Sequence, residues 1–178
     1  MLLSESGNQV GRVIVRHGKY VVQEMIMTRE KTHWLWTEMS KCRTLFNDLT
    51  RGNVDDFTAN ILNKHSIWFE VLDETGIIGV IYFTEMYQIV DCNAHVIFFD
   101  LKVLEKAQLC RAVAQWMFNN FPLARISAVI PKLYRFTISL TRLTGFKKEG
   151  VRRKATLMGG NWIDEVILGL LREEAFNG

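Results

Sequence analysis

The side chains best suited to hold a metal are Cys42, Cys92, Cys110, His17, His33, His65 and His95, and none of them falls at ligand spacing. The cysteine number is odd and no Cys-x-x-Cys pair occurs, so neither a zinc site nor a disulfide framework is expected. Reduced, mostly buried thiols and no metal are the expectation. Proton chemistry has better material. Glu85 and Asp100 stand near the ends of apolar segments, where a carboxylate can accept a proton from an ammonium group, directly or through water. Lys102, Glu105 and Lys106 open an amphipathic segment and suit either solvent or an anionic group. Val151-Arg152-Arg153-Lys154 is a short basic cluster and reads as a solvated face.

Bulk properties narrow the class. A chain of 178 residues with 48% hydrophobic residues can bury the core of one domain. Its net charge of +3 is compatible with a polyanionic ligand but too weak, and its basic residues too scattered, for nucleic acid. No apolar run reaches the roughly 18 residues of a membrane helix. The first residues lack the basic, apolar and cleavage regions of a signal peptide, so a cytoplasmic protein is expected.

The elements that must position these groups follow from periodicity. Residues 10–16 and 20–27 are rich in Val and Ile around a His17-Gly18-Lys19 turn and predict two strands. Trp34, Leu35, Met39, Leu45, Phe46 and Leu49 predict a helix over 31–49, broken near Cys42. After Gly52-Asn53, Asp55 or Asp56 is expected to cap a second helix carrying Phe57, Ile61 and Leu62. Strands over 66–72 and 77–84 flank the turn Asp73-Glu74-Thr75-Gly76, with 87–90 continuing the second past a bend. A strand over 94–101 precedes a helix over 104–119. A strand at 125–130, a helix at 135–143, and strands at 146–154 and 165–171 complete the order. Only Pro122 and Pro131 occur, and no Gly/Ser-rich linker, repeat or low-complexity tract interrupts the chain. One domain over 20–178, with an N-terminal extension at 1–19, is the expected organisation.

Two motifs near the C-terminus carry a resemblance. Thr144-Gly145-Phe146-Lys147-Lys148-Glu149-Gly150 ends a helix and opens a strand, and Gly159-Gly160-Asn161-Trp162-Ile163-Asp164 follows as a hairpin. Their order resembles the "LGF" turn, the "EG" and the "G-x-W/Y-x-D" hairpin of the GNAT superfamily of acyl-CoA-dependent N-acetyltransferases. The pattern is most similar to the enzymes that acetylate N-termini of ribosomal proteins. The resemblance spans roughly residues 20–172. It implies an α/β (α+β) fold: a mixed, twisted sheet of about six or seven strands, helices on both faces, a splayed central strand pair, and a short N-terminal β extension.

The resemblance also implies a site. The strand His95-Val96-Ile97-Phe98-Phe99-Asp100-Leu101 is expected to offer main-chain groups to pantetheine. Leu101-Lys102-Val103-Leu104-Glu105-Lys106 falls over the family's Gly-rich pyrophosphate loop, where Leu104 and Lys106 replace glycines. Without glycine the backbone loses left-handed conformations and close ligand approach. Phe99, Asp100, Leu101, Lys102, Leu104, Lys106, Ala107 and Tyr134 are the implied cofactor residues. Thr137, then Tyr134, is the implied proton donor to the coenzyme A thiolate; Thr141 stands where some relatives carry a Tyr. Asp100 and Glu85 are the candidate bases. Trp34, Trp36 and Trp162 lie where the family builds its acceptor pocket.

Two readings result. The first is an N-acetyltransferase moving an acetyl group from acetyl-CoA to a primary amine, on a peptide N-terminus or a small molecule. The second keeps the fold as a catalytically degenerate structural or interaction module, of a kind that occurs among bacteriophage virion proteins. Its N-terminal strands would offer an edge for a protein partner or self-association. Neither reading involves nucleic acid or membrane.

Overall fold

The computed structural model describes residues 2–3, 9–41, 46, 52–63, 66–86, 90–99 and 105–177. Val, Ile, Phe and Trp recur along the segments that pair into one sheet, as β-branched and aromatic residues favour. In chain order the strands are β1 (Leu2–Leu3), β2 (Gln9–Val10), β3 (Val13–His17), β4 (Tyr20–Glu24), β5 (Ile67–Asp73), β6 (Gly76–Thr84), β7 (Asn93–Phe98), β8 (Arg125–Pro131), β9 (Lys147–Met158) and β10 (Asn161–Leu171). The helices are α1 (Arg29–Ser40), α2 (Val54–Asn63), α3 (Lys106–Asn120), α4 (Arg135–Leu143) and α5 (Arg172–Phe176).

Among the described residues, eight strands form one sheet in the order β3-β4-β5-β6-β7-β8-β10-β9, and β1 and β2 pair separately. Every neighbouring pair in the large sheet is antiparallel except β7 and β8, which run parallel. The strand count exceeds the expected six or seven because the predicted N-terminal pair, seen as β3 and β4, joins the same sheet. Helix α5 has no counterpart in the sequence reading.

Helices cover both faces. Leu35 and Met39 of α1 pack with Met25, Trp68 and Val80 on one face, where Phe57 and Ile61 of α2 join them. Leu109, Val113, Met117 and Phe118 of α3 pack with Val22, Phe69, Ile81, Phe83 and Ile126 on the other. The cap of α2 differs from the expectation: the Asn53 side chain, not Asp55 or Asp56, accepts the backbone N–H groups of both aspartates at 2.9 and 3.0 Å. An amide oxygen one residue before the first turn reaches both orphan donors at once. The first part of the helix predicted over 31–49 is seen as Arg29–Ser40, with Lys41 as its C-cap beside the expected break near Cys42. Residues 42–45 and 47–51 lie outside the described residues. The continuation at 87–89 lies outside the described residues.

The GF turn forms as read. Thr144 closes α4, its hydroxyl donating to the Leu140 carbonyl at 3.0 Å. Gly145 follows at φ +113°, in the left-handed region that favours glycine, and Phe146 is buried beyond it. No described helix is long and apolar enough to cross a membrane.

Candidate active site

β7 and β8 share a single register position, Asn93 opposite Ser127, and one main-chain bond from Ser127 N–H to the Cys92 carbonyl at 2.8 Å. β7 then runs to Phe98 and β8 to Pro131 with no further pairing between them. The two strands therefore part in a V whose vertex lies at Asn93 and Ser127. Phe99 N–H bonds the Ile78 carbonyl of β6, while the Cys92 carbonyl faces β8. Strand alternation then turns the main-chain groups of Ala94, Val96 and Phe98 toward the opening, where β8 supplies no partner. A ligand carrying amides can take those positions as an added strand would.

Polar side chains gather at the vertex. Asn93 Nδ2 donates to the Glu85 carboxylate, and Glu85 sits at φ +60°, a left-handed conformation that costs a non-glycine residue energy. Ser127 donates to Asp91 at 2.9–3.0 Å and accepts from Arg125 Nε at 3.2 Å, while Arg125 Nη2 donates to Glu149 at 2.6 Å. Gly169 of β10 makes room for that pair: a Cβ there would stand 2.3 Å from Glu149 Oε1 and 2.6 Å from Arg125 Nη2. Glu85 is thus held beside the vertex by Asn93.

The open end of the V is bounded by aromatic rings and a buried cation. Lys106, the first residue of α3, is only 5% exposed. Its ammonium lies 5.5 Å from the Phe98 ring at the end of β7 and 5.6 Å from the Phe136 ring on α4. Phe136 itself is 64% exposed. Glu105, one residue before α3, pairs with His17 at the end of β3 at 3.2 Å. Of the other implied cofactor residues, Ala107 is half-buried in α3 and Phe99 closes β7. Asp100, Leu101, Lys102 and Leu104 lie outside the described residues.

Tyr134 is the N-cap residue of α4, half-buried, with its hydroxyl 4.0 Å from Met158 Sδ. Thr137 is half-buried one turn along. Both follow the end of β8, on the arm of the V that faces Lys106. Thr141 is buried, and its hydroxyl donates to the Thr137 carbonyl at 2.8 Å, a bond within the helix.

The acceptor candidates separate. Trp34 meets Phe99 edge-on at 5.7 Å and so stands beside the end of β7. Trp36 packs instead against Phe46 and Phe57 at 5.3 and 5.2 Å, between α1 and α2. Trp162 is 55% exposed on the β9–β10 hairpin, opposite Leu157. Sequence reasoning missed a different set of rings. Trp68, Tyr82 and His95 are successive cross-strand partners on β5, β6 and β7. Trp68 stacks on Tyr82 at 3.8 Å and Tyr82 on His95 at 4.5 Å. His95 Nε2 lies 3.1 Å from Thr84 Oγ1. Burial pushes the His95 imidazole down to about 4 and the Tyr82 phenol up to about 12, so both stay neutral at pH 7. The Asp73–Gly76 turn alone does not set this row, because a bulge between Val71 and Leu72 shifts the β5–β6 register and the Tyr82–His95 pairing lies across the next connection.

Burial likewise pushes the Cys92 and Cys110 thiols up to about 12, which leaves neither as a nucleophile at neutral pH. Among the described residues, no three His, Cys, Asp or Glu side chains come together as a metal cluster.

Solved structures share the overall architecture. The spermidine N-acetyltransferase of Vibrio cholerae, in complex with CoA and spermine, superposes with a TM-score of 0.73 at 15% identity, over 89% of this chain and 99% of that one. A ribosomal L7/L12 alpha-N-protein acetyltransferase in complex with coenzyme A gives 0.74 at 10% identity, over 90% and 98%. A GNAT-family acetyltransferase from Bacillus anthracis gives 0.71 at 17%, over 91% and 99%. No family model and no curated protein sequence matches the chain. The likeness is one of architecture, nearly end to end on both sides: this chain has the GNAT acetyltransferase fold.

Proposed function

We propose that the chain transfers an acetyl group from acetyl-CoA to a primary amine. The observation that carries this reading is the parting of β7 and β8 beyond Asn93 and Ser127, with main-chain groups of Ala94, Val96 and Phe98 turned into the gap. Pantetheine amides suit that edge. The diphosphate would then lie toward the start of α3, where Lys106 supplies a cation in place of the glycine-rich loop. Lys102 belongs to the same segment and is carried as a second cation for it. Solved neighbours that hold coenzyme A support the assignment of the donor.

The chemistry follows from the groups at hand. The amine nitrogen attacks the thioester carbon, and a backbone N–H of β7 steadies the oxyanion. Glu85 takes the proton that the attacking nitrogen releases. The C–S bond then breaks, and Thr137 or Tyr134 on the opposite arm delivers a proton to the departing thiolate. Trp34 and Phe99 line the acceptor side. Thiol release from acetyl-CoA, followed against a panel of primary amines and N-terminal peptides, tests the reading. Amine-dependent release at a rate above that of acetyl-CoA with amine alone is expected. A chain that binds coenzyme A yet releases no thiol with any amine would contradict it.

A further inference from the structure

Resting on the acetyl-transfer reading for its context, we propose that His95 presents its outer ring face to the acceptor's ammonium or amine, as the cleft end of the Trp68–Tyr82–His95 row, and so sets acceptor affinity. One face of the imidazole is covered by Tyr82, whose ring lies 4.5 Å away and within 10° of parallel. Tyr82 lies on the β6 side of His95, and β8, whose pairing with β7 stops at Asn93, is the neighbour on the other side. His95 stands two residues beyond the vertex position Asn93, between that vertex and the Trp34–Phe99 contact.

The row has the chemistry of a cation-binding wall. Three stacked rings extend from a buried indole to the strand edge, and their faces carry the negative part of the aromatic quadrupole. A charged imidazolium at that edge would repel an ammonium. Burial disfavours that form, and Thr84 holds the ring nitrogen in place at 3.1 Å. The same neutrality argues against His95 as the proton acceptor, since a base so reluctant to charge gains little from an alkylammonium. His95 is therefore a positioning residue, and the ring rather than its basicity matters.

The test uses n-hexylammonium as probe, titrated into the full chain with and without coenzyme A. The His95 imidazole resonance, identified by its loss in His95→Phe, is followed by NMR, and affinities are measured by calorimetry. A saturable shift of that resonance is expected in both conditions. His95→Phe, which keeps a neutral ring, should retain amine affinity within about twofold, whereas His95→Leu should lose about fivefold or more. Coenzyme A affinity should be equal in all three proteins. An unmoved resonance up to about 50 mM amine, or wild-type amine affinity in His95→Leu, would overturn the proposal. So would His95→Phe losing turnover with acceptor KM intact, which marks a proton acceptor instead. If the amine moves His95 but the chain binds no coenzyme A, the acetyl-transfer reading falls and this one stands.

Discussion

Among the described residues, Glu85 is one of two non-glycine residues at positive φ, and its carboxylate is tied to Asn93 at the point where the sheet divides. Backbone strain of this kind persists where the surroundings over-determine it, and here it aims an acid at the vertex. Glu85→Gln should lower kcat by about a hundredfold with coenzyme A affinity unchanged, since the amide cannot accept the proton. Steady-state kinetics alongside calorimetry separates the two effects, and an unchanged kcat would remove Glu85 from the mechanism. Lys106 makes the complementary case for the donor. Lys106→Met keeps the buried stem but deletes the charge and should weaken coenzyme A binding about tenfold, and Lys106→Glu by more. Equal affinities would rule out this alignment of the degenerate loop. His95 adds a pH signature to stability. Its folded-state value, about 4, lies below the ordinary 6.5, so the unfolded chain binds the proton more readily between those values. The contribution is full above pH 6.5 and is lost as pH falls toward 4, by at most about 3 kcal/mol. His95→Gln should flatten that segment of the urea-midpoint profile.

At the scale of elements, the C-terminal end of α3 depends on one distant side chain. Arg172 donates from Nε to the Leu123 carbonyl at 3.1 Å and from Nη2 to the Phe121 carbonyl at 3.0 Å and the Phe118 carbonyl. A planar guanidinium satisfies the orphan carbonyls that a helix end leaves. Arg172→Ala should cost about 3 kcal/mol in chemical unfolding, and Arg172→Lys most of that, because an ammonium cannot span the same fork. The elements themselves were legible where periodicity was strong: α4 was bounded to the residue, and the pair of strands around Asp73–Gly76 to within one at each end. Legibility failed where one side chain decided an end. Asn53 rather than an aspartate caps α2 because its amide oxygen already stands one residue upstream of the first turn. Helix α5 was missed because its five residues are too few for a period to register and Ala175 is its one buried side chain.

Across the whole molecule, the mixed sheet and its splayed central pair could be reached through the resemblance carried by the GF turn and the hairpin, two local signals that report a global topology. The site divides differently. Glu85, Lys106, Trp34 and Phe99 stand around the V, and Tyr134 and Thr137 follow its second arm. Trp36 and Trp162 do not join them, because one is used between two helices and the other on an exposed hairpin. The His95 row was hidden because a bulge shifts the β5–β6 register, and the Ser127–Asp91–Arg125–Glu149 network because it joins residues far apart in the chain. Such groupings exist only once register is known. The glycine-free loop leaves coenzyme A binding as the claim on which the acetyl-transfer reading depends. Calorimetric titration of the full chain with coenzyme A tests it most directly. A Kd on the order of 10 µM, weakened in Lys106→Met, is the predicted result. No heat of binding at millimolar coenzyme A would contradict the account and leave the fold as a scaffold for a protein partner.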